Sequence, residues 1–367
     1  MTASDSLSLV GRRDRLAESL DALGLDGLLV SHPPNVRYLS GFTGSTGWLL
    51  VLRGESPVLI TDSRYEEQAT AQLSAEIEVE LAREGLAASL GDCVLRTRAG
   101  TLGFEPEHVN VLDRRRIEEV CGEARWVEAP AAVMALRVVK ELCEVEQIRQ
   151  ATTVAEAALA RTLDWLRGGQ RPSERTIAAR LEFELRIGGS EALPFEVIVA
   201  SGPRSSLPHA EPGDRRIEEG DLLMLDFGAT VGGYCCDMTR TVVLGVASAW
   251  QRDIHAGVRA AQDAAIEAIG VGTRAADVDR VARERLAEND WDRFFGHSTG
   301  HGIGLEVHED PRLSRRSSDV LTVGHVVTVE PGVYLPGRGG VRIEDDVWLG
   351  EGGPERLTSF SRRLLEL

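Results

Sequence analysis

Long apolar runs are missing from this sequence. No uninterrupted stretch approaches the roughly 20 residues that a membrane-spanning helix requires, so no membrane partner is expected. The opening residues MTASDSLSLVGRRDRL carry Asp5 early and contain no apolar core, and do not read as a secretory leader. Cysteine is scarce as well. Cys93, Cys121, Cys143, Cys235 and Cys236 form no CxxC pair and are odd in number, which argues against a disulfide framework and for a reducing, cytoplasmic setting. Basic residues are in deficit, 41 Lys and Arg against 58 Asp and Glu, for a net charge of −17. A surface that acidic repels a phosphate backbone, and nucleic acid is not expected as a partner.

What is present points to two domains. At 367 residues the chain exceeds the usual size of one, and 43% apolar content is ordinary for a globular protein with a core. The stretches GLLVSHP, GWLLVLRG and SPVLITDSR read as strands bounded by Gly, Pro and Ser, while RRDRLAESLDALG and RYEEQATAQL read as amphipathic helices. This pattern predicts a small α/β domain over residues 1–135. APAAVMALRVVK then leads into a long helix, KELCEVEQIRQATTVAEAALARTLDWLRGG, that opens a second domain over residues 136–367.

The second domain contains an internal repeat. A long Ala-rich helix ends at Gly168-Gly169 and is followed by RPSERTIAARLEFEL; about a hundred residues later HAGVRAAQDAAIEAIG ends at GVG and is followed by TRAADVDRVARERL. Each copy thus predicts a long helix, a Gly turn and a shorter helix with an acidic first turn. The first copy reaches GDLLMLDFGATVGGYCCDMTR and the second GHVVTVEPGVYLPGRGGVRIEDD. In both, a carboxylate stands six residues after the opening Gly, at the end of a strand-like run: Asp226 and Glu330. Each copy returns through a second strand bearing another, Asp237 and Glu344.

Four carboxylates on apolar strands are costly to bury without a compensating charge. A pair of divalent cations supplies it. If the copies pack about a pseudo-two-fold axis, Asp226 and Glu330 fall on opposite sides, with Asp237 and Glu344 near the axis, where a carboxylate bridges two ions. His301, in GHSTGHGIGLEVHE, completes the set as its one imidazole. Such an oxygen-rich site favours Mn(II), with Co(II), Fe(II) and Zn(II) as alternatives. Two ions about 3.5 Å apart generate a hydroxide from a shared water near neutral pH. HSTGH lacks the Glu of a zinc HExxH helix, and its glycines oppose a helix.

At this point the chain resembles the aminopeptidase P and prolidase family of dinuclear metallopeptidases. SHPPNVRYLSGFTGS and TDSRYEEQA are similar to that family's N-terminal domain; LDFGATVGGYCCDMTRT, HSTGHGIGLEVHE, VVTVEPGVY and GVRIEDD are similar to its metal and substrate motifs. The resemblance implies an α/β (α+β) architecture, a creatinase-like N-terminal domain followed by a pita-bread catalytic domain. It assigns Asp226 to one metal, His301 and Glu330 to the other, and Asp237 and Glu344 to both. It further implies that His308 touches the scissile peptide, that His209 and His297 hold the substrate beyond the cleaved bond, and that Arg342 lies at the substrate. Tyr334 is expected either to pack or to hydrogen-bond a metal-binding carboxylate.

The implied activity is hydrolysis of the bond between an N-terminal residue and a following proline by a hydroxide bridging the two metals. Glu330 shuttles the proton, and His308 helps hold the oxyanion. An aminopeptidase acting on longer peptides is preferred, with a strict Xaa-Pro dipeptidase as the alternative. A non-catalytic binding module would be expected to lack ligands, and methionine aminopeptidase would not need so large an N-terminal domain. The partners expected are a peptide with proline in second position and a second copy of the chain. No role is expected for His32, His108, His255 or His325, and one of Cys235 and Cys236 is expected to face the core.

Overall fold

The computed structural model describes residues 3–97 and 99–367. The chain divides into two units, the first ending at Arg137 and the second running from Val138 to Leu367. In the first unit, α1 (Ala3–Ala22) leads into β1 (Gly27–Val30), α2 (Pro33–Ser40), β2 (Trp48–Leu52), β3 (Val58–Thr61), α3 (Glu66–Gln72) and β4 (Glu78–Leu81). It continues through α4 (Leu86–Thr97), β5 (Thr101–Phe104), α5 (Val111–Val120), β6 (Arg125–Glu128) and α6 (Met134–Arg137). The three strand-like runs of the sequence are β1, β2 and β3.

The six strands form one mixed sheet in the order β4-β3-β2-β1-β5-β6. All four residues of β1 are buried, as the uninterrupted run GLLV requires of a central strand covered on both faces. Pro33 starts α2, where its missing N–H costs nothing, and Gly41 ends it with φ 80°. Leu29, Leu50, Ile60, Leu102 and Phe104 form the core beneath the helices.

The second unit is two copies of one motif. In the first, α7 (Leu142–Arg167) and α8 (Glu174–Ile187) precede β7 (Ile198–Ser201), β8 (Leu222–Phe227), β9 (Thr230–Val231), β10 (Tyr234–Cys235) and β11 (Met238–Val243). In the second, α9 (Ala249–Ala268) and α10 (Ala275–Ala287) precede β12 (Gly300–Gly302), β13 (Glu309–Leu313), β14 (Val326–Val329), β15 (Gly332–Leu335), β16 (Gly339–Arg342), β17 (Asp345–Gly350) and β18 (Gly353–Arg356). The sheets are β11-β8-β7 and β13-β12-β14-β17-β18, both antiparallel.

Each copy buries the alanine stripe of its first helix on its own sheet. Ala151, Ala155 and Ala158 of α7 join Leu223, Leu225 and Phe227 of β8 in one core, and Ala265 of α9 joins Val327 and Val329 of β14 in another. In both, a long antiparallel pair, β8/β11 or β14/β17, is linked by a short hairpin, β9/β10 or β15/β16. The copies meet where β11 runs beside residues 342–344: Glu344 N donates to Thr239 O at 3.2 Å and Thr241 Oγ1 to Arg342 O at 3.0 Å.

Two details differ from the sequence reading. Asp237 and Glu344 do not lie within strands; they occupy the breaks just before β11 and between β16 and β17. Cys235 and Cys236 are both buried, rather than one.

The chain contains a single lysine, Lys140, and it is buried. Its Nζ pairs with Glu309 Oε2 at 2.8 Å, with side chains 1% and 0% exposed. Glu309 Oε1 also accepts Glu306 N at 3.1 Å, so the pair sits beneath the loop that carries His308. Removing one partner strands a charge in a dry site. Lys140→Met alone therefore loses about 3–5 kcal/mol of unfolding free energy, and adding Glu309→Leu recovers most of it, as measured by urea titration of the three proteins.

Candidate metal centre

Five side chains from separate segments of the second unit converge. Asp226 comes from β8, Asp237 from the break before β11, His301 from β12, Glu330 from the turn after β14, and Glu344 from the break after β16. Ligand atoms of Asp237, His301 and Glu344 all lie within 4.8 Å of one another. His301 Nε2 stands 3.6 Å from Glu330 Oε1 and 3.8 Å from Asp237 Oδ2. Asp226 belongs to the same cluster, since its charge acts on Asp237, Glu330 and Glu344.

The glycines around His301 have a steric cause. β12 lies between β13 and β14 so closely that a Cβ at Gly300 would come 1.9 Å from Thr328 O, and one at Gly302 2.1 Å from Asp310 O. That squeeze brings His301 against the acids. Its Nδ1 lies 3.0 Å from Gly302 O, which only accepts, so the ring hydrogen is on Nδ1. Burial lowers the imidazole pKa to about 4, so the ring is neutral at pH 7. Nε2 therefore presents a lone pair toward the oxygens of Asp237 and Glu330.

The acids tell the same story. Burial first, then the charges of their neighbours, push Asp237 and Glu344 well above the ordinary carboxylate range. Glu330 rises to about 8, mainly through burial, with Asp226 adding to the rise and Arg342 opposing it. Asp226 Oδ1 and Asp237 Oδ1 are buried without a hydrogen-bond partner among the described residues. A lone pair facing carboxylates, two orphaned acid oxygens and a surplus of negative charge all fit cations between these side chains.

Arg342, expected at the substrate, is 2% exposed and bound to protein groups. Its Nη2 donates to Asp226 Oδ2, its Nη1 to Tyr334 OH at 2.9 Å and Pro208 O at 3.1 Å, and its Nε to Thr239 Oγ1 at 3.0 Å. Thr239 Oγ1 in turn donates to Glu344 Oε2 at 2.7 Å. Thr239 was missed in the sequence, although it follows Asp237 by two positions, the spacing that repeats a face on a strand. Among the described residues the Tyr334 hydroxyl is bonded to no carboxylate; it lies 2.8 Å from His297 Nε2 and accepts from Arg342 Nη1.

The three other histidines gather at the same place. His308 is exposed, with its ring centroid 4.4 Å from that of His301. Burial and then Arg312 lower its pKa. His297 Nδ1 lies 2.9 Å from Ser298 O and 3.6 Å from Glu330 Oε2; burial and then Arg342 bring its pKa to about 3. His209 is exposed on the loop after β7 and acts electrostatically on both His297 and His308. His32 and His108 stack on each other in the first unit, His255 lies buried on α9, and His325 bonds Thr322 at 3.1 Å.

Comparison with known proteins agrees in both units. Residues 146–351 match metallopeptidase family M24, and residues 12–139 match the creatinase/prolidase N-terminal domain. The chain is 40% identical to the uncharacterized peptidase YqhT of Bacillus subtilis over 96% of its length and 99% of that protein. It superposes on an Xaa-Pro dipeptidase from Bacillus anthracis with a TM-score of 0.93 and 36% identity, covering 98% of this chain and 100% of that one. An X-Pro aminopeptidase from Thermotoga maritima gives a TM-score of 0.89 and 38% identity, covering 95% and 100%. With an unprotonated imidazole facing buried acids at its centre, and likeness along nearly its whole length, the chain belongs to metallopeptidase family M24 and carries a creatinase/prolidase N-terminal domain.

Proposed function

We propose that this protein hydrolyses the peptide bond between an N-terminal residue and a following proline, with two divalent cations held by Asp226, Asp237, His301, Glu330 and Glu344. The observation that carries the reading is the convergence of His301 Nε2 on acid oxygens 3.6 and 3.8 Å away among four carboxylates, an arrangement that needs protons or cations to hold the acids together. One imidazole among four carboxylates suits Mn(II) best. Bound there, such ions polarise the scissile carbonyl and lower the pKa of water.

The chain's own groups divide the remaining work. Glu330, with its side chain 15% exposed against 8% for Asp237, stands toward the open side of the cluster. It takes a proton from the attacking water and delivers it to the proline nitrogen, which as a tertiary amide has no hydrogen of its own. His308, neutral and exposed, donates an N–H to the developing oxyanion. His209 contacts the residue after the cleaved bond. His297 has both ring nitrogens engaged by Tyr334 and Ser298, so it meets substrate through its ring and holds its place beside Glu330. Arg342 orients Asp226 rather than the peptide.

The relatives include an Xaa-Pro dipeptidase and an X-Pro aminopeptidase, which supports proline specificity and leaves two readings of substrate length. Mn(II)-loaded protein assayed with Xaa-Pro and with Xaa-Pro-Yaa separates them. Release of the first residue from both peptides marks an aminopeptidase, and release from the dipeptide alone marks a dipeptidase. Hydrolysis of neither would sink the proposal.

Two further outcomes are expected. Glu330→Gln keeps the wild-type circular dichroism spectrum and loses at least about a hundred-fold in kcat; near-normal turnover would remove Glu330 from the proton path. The second concerns stability against pH. A carboxyl whose folded pKa is raised holds its proton in the native state when the unfolded chain has lost it, so stability falls as pH climbs between the two values. For Glu330 that window runs from 4.5 to about 8. Cations displace those protons. The Tm gap between Mn(II)-loaded and chelator-stripped protein therefore widens across this window, and a gap independent of pH would contradict the cluster's electrostatics.

A further inference from the structure

The pseudo-two-fold repeat extends to groups outside the metal cluster. On α8, Glu174 is 0% exposed, and its Oε1 accepts both the N–H and the hydroxyl of Ser201, each at 2.8 Å. On α10, Asp279 is also 0% exposed, and its Oδ1 accepts the hydroxyl of Thr299 at 2.9 Å and, at 3.2 Å, its N–H, which is shared with Leu313 O at 2.9 Å. Each acid binds an arginine through its other oxygen: Arg204 Nε to Glu174 Oε2 at 2.9 Å, Arg283 Nε to Asp279 Oδ2 at 2.8 Å. Ser201 and Thr299 are themselves fully buried. The same four-part arrangement thus occurs once in each half, built from different residues.

What each arrangement holds is different. Glu174 Oε2 also accepts Gly213 N at 3.0 Å, so this one carboxylate ties together both ends of the loop 202–212 that carries His209. Arg204 tightens the loop further by donating to Glu211 O at 2.6 Å. Asp279 acts on the other half of the centre. Thr299 O accepts Glu330 N at 2.8 Å, and Thr299 lies two residues before His301, so one residue sets the backbone of both. Arg283 adds bonds to Phe295 O and His297 O.

We propose that these are twin positioning clamps with divided tasks: Glu174–Ser201 sets the His209 loop for substrate, and Asp279–Thr299 sets His301 and Glu330 for the cation. A fold-stabilising role alone would require neither the pairing with the site-bearing segments nor the division between them. The inference rests on the metal reading above for its second task only, and the test separates the two.

Thr299→Val removes the hydroxyl at nearly constant shape, Thr299→Ser retains it, and Ser201→Ala removes its counterpart. In calorimetric titration of chelator-stripped protein, Thr299→Val binds Mn(II) about ten-fold or more weakly than wild type, and Thr299→Ser restores the affinity. Ser201→Ala keeps wild-type Mn(II) affinity and kcat and raises KM for Xaa-Pro. Amide hydrogen exchange of the metal-free proteins follows the same division: Thr299→Val speeds exchange at Glu330 and residues 299–301, Ser201→Ala across 202–213. Variants that lower only Tm, with Mn(II) affinity, KM and the exchange pattern unchanged, overturn the clamps. So does Ser201→Ala weakening Mn(II) as Thr299→Val does. Wild-type protein that takes up no Mn(II) overturns the metal reading and with it the second task, while the exchange pattern still decides whether the two devices control separate segments.

Discussion

Repulsion among buried carboxylates is the constraint around which the second unit is organised. Asp226, Asp237, Glu330 and Glu344 share a space in which burial, and then the neighbouring acids, raise the cost of ionising Asp237, Glu330 and Glu344. A protein that needed only stability would not place them together. The fold answers part of the charge internally, through Arg342 on Asp226 and the Thr239 hydroxyl on Glu344. The neutral His301 turned toward the acids fits the proposal that cations answer the rest.

Elsewhere the same unit pairs its buried charges within the protein. Lys140 meets Glu309, and Arg240 bonds Asp345 at 2.7 Å while also donating to the carbonyl of Glu344 at 2.6 Å. Asp345 consequently stays below the usual carboxylate range despite complete burial, because Arg240 and the Thr358 hydroxyl outweigh the desolvation. Glu344, one residue earlier, moves the opposite way. Two adjacent acids on one segment, one satisfied by the chain and one not, show that the imbalance belongs to the site and not to burial as such.

Much of this was legible before any coordinates. The repeat of helix, Gly turn, helix and strand pair located Asp226 against Glu330 and Asp237 against Glu344, because each copy must bury an apolar helix stripe and strand run, and such patterns survive in sequence. The glycines beside His301 were visible, but their cause, the closeness of β13 and β14, was not. Long-range hydrogen bonds left no local trace. Nothing near Arg342 indicates that its guanidinium reaches Asp226, 116 residues away in the chain. Nothing near His297 indicates that Tyr334 occupies its Nε2. Nothing near Ser201 or Thr299 marks them until the helices bearing Glu174 and Asp279 pack behind them.

The two halves share a skeleton and differ in what surrounds their outer acids. Asp226 is hydrogen-bonded to a fixed guanidinium, whereas the ring nitrogens nearest Glu330 belong to His297 and His301, both neutral at pH 7. Glu330, facing neutral imidazoles and with a pKa near 8 in the absence of other cations, gains and loses a proton near physiological pH. Symmetry therefore assembles the cluster, and the departure from symmetry at Arg342 and His301 is what supports proposing Glu330, not Asp226, for proton transfer.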